Sequence, residues 1–138
     1  MNKIYIFDAC ALIALLSKEE GYKNVSKILE EAKTKETRVV MNKINLYEVY
    51  YNIYKTYDEE SAKIFLNEIK KSPININNEI TDEIIIEAGR LKGKYKMSLA
   101  DSIGLAETII SGGTFVTADH HELDIVDRKE EIDFYWIR

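Results

Sequence analysis

The sequence is poor in the residues that mark disulfide-bonded, linker-rich and membrane-spanning proteins. Its 138 residues include one cysteine, Cys10, and one proline, Pro73. A single cysteine forms no disulfide within the chain, and no cysteine–histidine group has the spacing of a zinc site. The longest apolar run, residues 4–16, contains Asp8 and is shorter than the roughly 20 residues that cross a bilayer. We therefore expect one domain over residues 1–138, in the cytoplasm and outside any membrane.

An excess of positive charge is also lacking, because the formal net charge is −5. This balance argues against a protein that coats nucleic acid by bulk electrostatics. It leaves room for a local basic segment, and residues 88–99 carry Arg90, Lys92, Lys94 and Lys96 without an acid. Two interpretations of this segment stay open. It is either a track for a nucleic-acid backbone or a solvated helix end whose cations offset the helix dipole.

Short apolar stretches alternate with helical patterns along the whole chain. The stretches KIYIF, RVVM, PINI, TFVT and FYWI have the length and composition of strands. Asn42, Thr81 and Ser98 each stand where a cap would begin the helix that follows. The alternation predicts an α/β fold, a three-layer α/β/α sandwich with a short parallel sheet of four to five strands.

Four acids occupy the positions where such a sheet binds ligands, which is the carboxyl edge of its strands. Asp8 ends the first strand, and Asp119 follows TFVT. Asp101 lies in the first turn of its helix, and Glu48 lies within two turns of the start of its own. Side chains of a helix lean toward its amino end. We therefore expect the four carboxylates to meet at one edge.

Each acid also has a structural interpretation when it is taken alone. Asp8 and Asp119 could cap the elements that follow them, and Asp101 could form a capping box with Ser98. Glu48 could pair with a lysine, Lys43 or Lys55, on a solvated face. Taken together, several carboxylates at one edge would repel one another unless cations hold them. An oxygen-only set of ligands suits Mg²⁺ or Mn²⁺.

The helix that carries Asp101 is apolar or small almost all round, which predicts that it is buried. Its main stripe comprises four residues, Leu99, Ile103, Ala106 and Ile110.

A second pattern is a row of tyrosines at helical spacing, which predicts a contact with a second copy or with a partner protein. These tyrosines are Tyr47, Tyr50, Tyr51 and Tyr54. His120 and His121 are interpreted as an exposed loop pair outside the site, and Trp136 as a packing residue.

The stretches IYIFDACALIALL, NKINLYEVYYN, AGRLKGKYKMSLADSIGLAE and FVTADHHELD resemble, in this order, the motifs of PIN-domain nucleases. The resemblance is closest to the VapC-type toxins of toxin–antitoxin pairs. It implies a Mg²⁺-dependent endoribonuclease, with Mn²⁺ as a substitute ion, in which a metal-activated water attacks the phosphorus. It further implies a homodimer that a small antitoxin silences, and transfer or ribosomal RNA as the target.

The resemblance assigns roles to particular positions of this sequence. The four acids Asp8, Glu48, Asp101 and Asp119 would be the catalytic, metal-binding residues. Thr117 matches a hydroxyl residue that would support them. The sequence departs from the family at Cys10, where a small hydroxyl or amide residue is frequent. It also departs at Asn42, where serine or threonine is frequent.

Two other functions remain as alternatives. A phosphatase of the haloacid dehalogenase type also has an aspartate after its first strand. It usually has a second acid two residues later, where this sequence has Cys10. The other alternative is a catalytically inactive PIN-like module that only binds a partner. The presence of all four acids argues against it.

Overall fold

A five-stranded, all-parallel sheet forms the middle layer of the molecule in a computed structural model that describes residues 3–34 and 36–138. Its strands lie in the order β3-β2-β1-β4-β5. Strand β1 pairs with β2 from Lys3 opposite Thr37 to Ile6 opposite Val40. The strand bounds are β1 Lys3–Phe7, β2 Thr37–Asn42, β3 Ile74–Asn77, β4 Thr114–Thr117 and β5 Asp133–Trp136.

Seven helices connect and cover these strands in the described part of the chain. Each parallel pair needs a crossover between its strands, and helices supply it. None of these helices has the length and apolar character that a membrane crossing requires. Their bounds are α1 Ala9–Ser17, α2 Tyr22–Glu31, α3 Lys43–Thr56, α4 Glu59–Ile69, α5 Asp82–Lys94, α6 Leu99–Ser111 and α7 His120–Lys129.

The sheet separates two apolar cores, because successive strand residues point to opposite faces. Phe7 and Val116 face the core that is shared with α1, α2, α3 and α4. Ile6 and Phe115 face the core that is shared with α5, α6 and α7. All four of these side chains are buried. The three-layer α/β/α architecture predicted from the sequence is confirmed, with five strands.

Helix α6 packs closely on the sheet and is buried from Ala100 to Thr108. A Cβ atom at Gly104 would lie 2.7 Å from Cε1 of Phe115 in β4, so only glycine permits this approach without movement of the ring. Ser98 caps the helix by accepting the Asp101 N–H at 3.0 Å. Close packing at Gly104 therefore fixes the distance of α6 from the sheet. It thereby fixes the position of Asp101, one turn earlier, at the carboxyl edge.

Two details of the sequence interpretation are wrong. His120 and His121 do not belong to a loop, since they begin α7. Leu99 and Ile110 are expected in the buried stripe of their helix, but they are 66% and 39% exposed. They stand at the two ends of α6, outside the packed stretch from Ala100 to Thr108. The predicted caps Asn42, Thr81 and Ser98 are all observed.

Candidate active site at the carboxyl edge of the sheet

Two aspartates of the predicted site are held in place as helix caps. Asp8 follows β1 and caps α1 by accepting the Ala11 N–H at 2.8 Å. Asp119 lies two residues after β4 and caps α7, where it accepts the Glu122 N–H at 3.3 Å. Both caps stand at the carboxyl edge, where the positive ends of α1 and α7 favour negative charge. The structural interpretation of these two acids therefore holds, and the same side chains stand at the edge where the functional interpretation expects them.

Three carboxylates form the centre of the site. One oxygen from each of Asp101, Asp119 and Glu122 lies within 4.8 Å of the others. Asp101 is buried, and the other two are half-buried. Glu122 was not among the residues predicted from the sequence. The available signal was its spacing, because a residue three positions after Asp119 shares its face if a helix begins at His120.

One hydroxyl group forms hydrogen bonds with both Asp8 and Asp119, the first and the last of the predicted acids. Thr117, fully buried at the end of β4, donates a hydrogen bond from its Oγ1 to Oδ2 of Asp8. The same oxygen accepts the N–H of Asp119 at 3.1 Å. Thr117 thus fixes the rotamer of Asp8 and the backbone that presents Asp119. This is the place that the sequence predicts for a supporting hydroxyl.

Glu48 approaches the site from α3, on the exposed side of the edge. Burial raises the pKa of its carboxyl, and the charge of Asp119 raises it further. It forms no ion pair with Lys43 or Lys55, the alternative considered from the sequence. The side chain therefore interacts electrostatically with the acid cluster and not with a solvated lysine.

Mutual repulsion and burial dominate the electrostatics of this edge. Burial raises the pKa of Asp101 to about 7, with added contributions from the charges of Asp119 and Glu48. Asp8 is 1% exposed, and burial together with the charge of Asp101 holds its pKa well above the ordinary value. Within residues 3–34 and 36–138, no lysine or arginine nitrogen lies within 4.0 Å of these carboxylates.

The donor set fits a hard divalent cation. Carboxylate oxygens are the ligands that Mg²⁺ and Mn²⁺ prefer, and clustered acids without a neutralising side chain favour a bound cation. The nearby thiol adds no negative charge, because burial and the charge of Asp8 raise the pKa of Cys10 to about 12. The residues present at this edge are therefore consistent with an oxygen-only metal site.

The other departure from the family pattern has a structural role. Asn42 caps α3 through its Oδ1, which accepts the Ile44 N–H at 3.0 Å. Its Nδ2 donates to the carbonyl of Glu79 at 3.2 Å, so the side chain also ties the segment after β3 to the edge. The amide accepts and donates through two separate atoms, whereas a serine has one oxygen for both functions.

The basic segment is largely engaged within the molecule. Arg90 pairs with Glu130 at 2.9 Å and with Glu87 at 3.1 Å. Lys92 donates to the carbonyl of Met97 at 2.7 Å. Lys94 lies 3.6 Å from Glu130, and Lys96 is exposed. These contacts agree with the interpretation of a solvated helix end for Arg90, Lys92 and Lys94.

Comparisons with known proteins identify relatives of this architecture. The family model described as the PIN domain matches residues 5–129, while no curated protein sequence matches the chain. DNA-bound VapBC from Salmonella typhimurium is similar at a TM-score of 0.72 and 14% identity, covering 100% of both chains. A toxin-antitoxin complex from Klebsiella pneumoniae has a TM-score of 0.67 and 22% identity, covering 97% of this chain and 98% of that one.

A third similar structure is VapC20 of Mycobacterium tuberculosis, a Sarcin-Ricin loop cleaving toxin. Its TM-score is 0.65 at 15% identity, with 85% of this chain and 91% of that chain covered. At such identities the likeness establishes a shared fold. The resemblance stated from the sequence motifs is confirmed by the family model and by this fold.

Proposed function

This chain belongs to the PIN domain family, and from that premise we propose that it is a Mg²⁺-dependent endoribonuclease. The observation that carries the proposal is the cluster of Asp101, Asp119 and Glu122, whose carboxylate oxygens lie within 4.8 Å of one another. Burial, and after it the charges of Asp119 and Glu48, raise the pKa of Asp101 to about 7, and a bound cation would favour its ionised form. Residues 1–138 would form one nuclease domain that acts in the cytoplasm.

The proposed metal ligands are the three central acids, with Asp8 and Glu48 completing the oxygen shell. A divalent ion bound there would lower the pKa of a water molecule and offset the charge of the scissile phosphate. Mn²⁺ would serve as a substitute for Mg²⁺. Thr117 would support the shell, because its hydroxyl fixes both Asp8 and the backbone of Asp119.

The proposed physiological role is that of a toxin with a protein antitoxin. Several structures with this fold were solved as toxin–antitoxin complexes. A cleft of about 400 Å³ between α1, α3 and α4 offers a mainly apolar surface for such a partner. Leu16, Tyr57 and Ile64 line it and are 48%, 64% and 55% exposed, respectively. We propose that an apolar helix face of the antitoxin covers these side chains.

A second copy of the chain would cover another exposed apolar surface. Tyr47, Tyr51 and Tyr54 are 64%, 46% and 50% exposed on α3. Exposed aromatic side chains on one helix face are typical of a contact between proteins. We propose that this face contributes to a homodimer, as the sequence resemblance implies.

The proposed substrate is RNA of the transfer or ribosomal class. VapC20, which shares this fold, is described as a Sarcin-Ricin loop cleaving toxin. The negative net charge leaves few surfaces that attract a polyanion. We propose that the segment with Arg90, Lys92, Lys94 and Lys96 contacts the RNA backbone, with the exposed Lys96 as its main contributor.

Cleavage of total cellular RNA by the purified chain tests the proposed reaction. We expect cutting in the presence of Mg²⁺, no cutting in EDTA, and no cutting by Asp101→Asn. Asp82→Asn is the matched control, since Asp82 is an exposed acid in the first turn of α5 and should cut like the parent. A folded, partner-free preparation that cuts no RNA with Mg²⁺ or Mn²⁺ would contradict the proposal and favour an inactive binding module. Release of phosphate from small esters would instead favour the phosphatase.

A further inference from the structure

A row of stacked rings runs from the core to the edge of the candidate active site. Phe115, which is buried, contacts Phe134 edge-on at a centroid distance of 5.9 Å. Phe134 stacks on Trp136 at 5.2 Å, with 7° between the ring planes. Trp136 in turn stacks on His120 at 4.0 Å and 15°. The last ring belongs to the residue directly after Asp119, the cap of α7, so the row ends at the carboxyl edge of the sheet.

The His120 ring is fixed in position at the surface. Its Nδ1 lies 2.7 Å from Oδ1 of Asp124, and its Nε2 lies 2.7 Å from the carbonyl oxygen of Arg138. Trp136, which covers one face, is itself held by a hydrogen bond from Nε1 to Asp127 at 3.0 Å. Three contacts on separate sides leave the imidazole with one orientation.

The second face of His120 is the side that none of these three contacts covers. The side chain is 47% exposed, although both nitrogens are engaged and one face is covered. A flat ring that is rigid before binding loses little conformational entropy when another ring stacks on it. Nucleobases stack on such aromatic surfaces irrespective of their sequence, because every base has a π-face.

We propose that the outer face of His120 is a stacking platform for a nucleobase of single-stranded RNA, next to the phosphate that the acid cluster addresses. The inference rests on the proposed nuclease function and deepens it. The topology supports the placement, since β5 ends at Trp136 on the same carboxyl edge and His120 contacts the carbonyl of Arg138 just beyond that end. A base held there would position the adjoining phosphate at the carboxylates. His120 is thus a substrate-binding residue and not a general base.

Binding without cleavage tests the platform separately from the reaction. All variants carry Asp101→Asn, and the probes are a labelled oligouridine and an abasic chain of equal length. We expect His120→Ala to weaken oligouridine binding by about 5- to 100-fold, the range for loss of one stacked base. His120→Phe should restore most of the affinity, because it keeps a flat ring. His121→Ala, at the exposed neighbouring position, is the control and should bind like the parent.

The abasic chain distinguishes stacking from a structural effect. We expect it to bind equally to the parent and to His120→Ala, since it has no base to stack. An equal loss on both probes would overturn the platform, as would unchanged affinity of His120→Ala or no binding of oligouridine by the parent. Urea unfolding followed by circular dichroism verifies that each variant remains folded, because the emission of Trp136 would change with the loss of its stacking partner itself. RNA cleavage by the chain without Asp101→Asn reports on the nuclease proposal independently.

Discussion

Two groups of acids in this molecule have opposite environments. At the far end of α5, Glu130 accepts hydrogen bonds from Arg90 at 2.9 Å and from the Tyr95 hydroxyl at 2.6 Å. These contacts lower the pKa of Glu130 to about 2. At the carboxyl edge, burial and neighbouring carboxylates raise the pKa of Asp101 to about 7. Glu130 is stabilised by side chains of its own protein, whereas Asp101 has no cationic partner among the described residues.

The difference separates a structural ion pair from the candidate active site. The Glu130 network joins the last turn of α5 to the end of α7 and is complete without a ligand. The acid cluster has no cationic side chain within 4.0 Å among the described residues. Repulsion among these carboxylates lowers the free energy of unfolding of the metal-free protein, and a cation bound there would raise it.

The largest expected effect is on catalysis. Glu122→Gln should lower RNA cleavage by roughly 100-fold or more, because even residues that only orient a metal ligand are worth about 10- to 100-fold. Glu130→Gln is the matched change in the other group and should leave the cleavage rate at pH 7 within a few-fold of the parent. Initial rates at saturating Mg²⁺ measure both. Equal losses in the two variants would remove Glu122 from the site.

The second effect is a gain in stability on removal of a charge. The folded-state pKa of Asp101, about 7, lies above the ordinary value of 3.8, so between these values the folded state binds more protons than the unfolded state. Stability is therefore lost as the pH rises through this window. Asp101→Asn should raise the free energy of unfolding of the metal-free protein at pH 8 by about 1–3 kcal/mol.

Urea unfolding at pH 8 with EDTA measures this gain. At pH 4 the parent and Asp101→Asn should differ little, because the parent carboxyl is then mostly protonated in the folded state. Mg²⁺ should stabilise the parent more than the variant. A variant that is less stable than the parent at pH 8 would show that the acid cluster is not under electrostatic strain.

The third effect has the opposite sign and belongs to Glu130. Its folded-state pKa, about 2, lies below the ordinary value of 4.5. Its stabilisation is therefore present above pH 4.5 and lost as the pH falls toward 2. Glu130→Gln should lower the free energy of unfolding at pH 7 by about 1–2 kcal/mol, since the 42% exposure of the Arg90 side chain screens the pair. Thermal unfolding between pH 2 and 7 should show the two proteins converging at the acid end.

The sequence predicts the fold well because its local signals agree. Strands such as KIYIF and TFVT are short apolar runs, and caps such as Ser98 stand directly before their helices. Alternation of strands and helices then leaves few topologies. Asp8, Asp101 and Asp119 could be placed at one edge for the same reason, since each begins or follows an element whose direction is known.

What the sequence does not predict depends on contacts between distant segments. Helix α7 has only Leu123 and Val126 as buried residues, so its short apolar stripe is a weak signal, and Glu122 was missed with it. The pairing of Arg90 with Glu130 joins residues that are 40 positions apart. Neither helix propensity nor hydrophobic periodicity indicates which residues pair over that distance. The sequence therefore suggests more unpaired side chains in the basic segment than the structure has.

The smallest effect concerns how much of that segment remains for RNA. Lys94 lies 3.6 Å from Glu130, whereas Lys96 is exposed beyond the end of α5. A lysine that contacts one phosphate of a single strand contributes about 0.7 to the slope of log affinity against log salt. Lys96→Ala should therefore flatten the slope for oligouridine by about 0.7, and Lys94→Ala by clearly less, because Glu130 already offsets its charge. Fluorescence anisotropy from 50 to 200 mM KCl measures both slopes. If both variants flatten the slope equally, Lys94 exchanges its contact with Glu130 for a contact with an RNA phosphate. That result would contradict the expectation that the Glu130 pair persists when RNA binds.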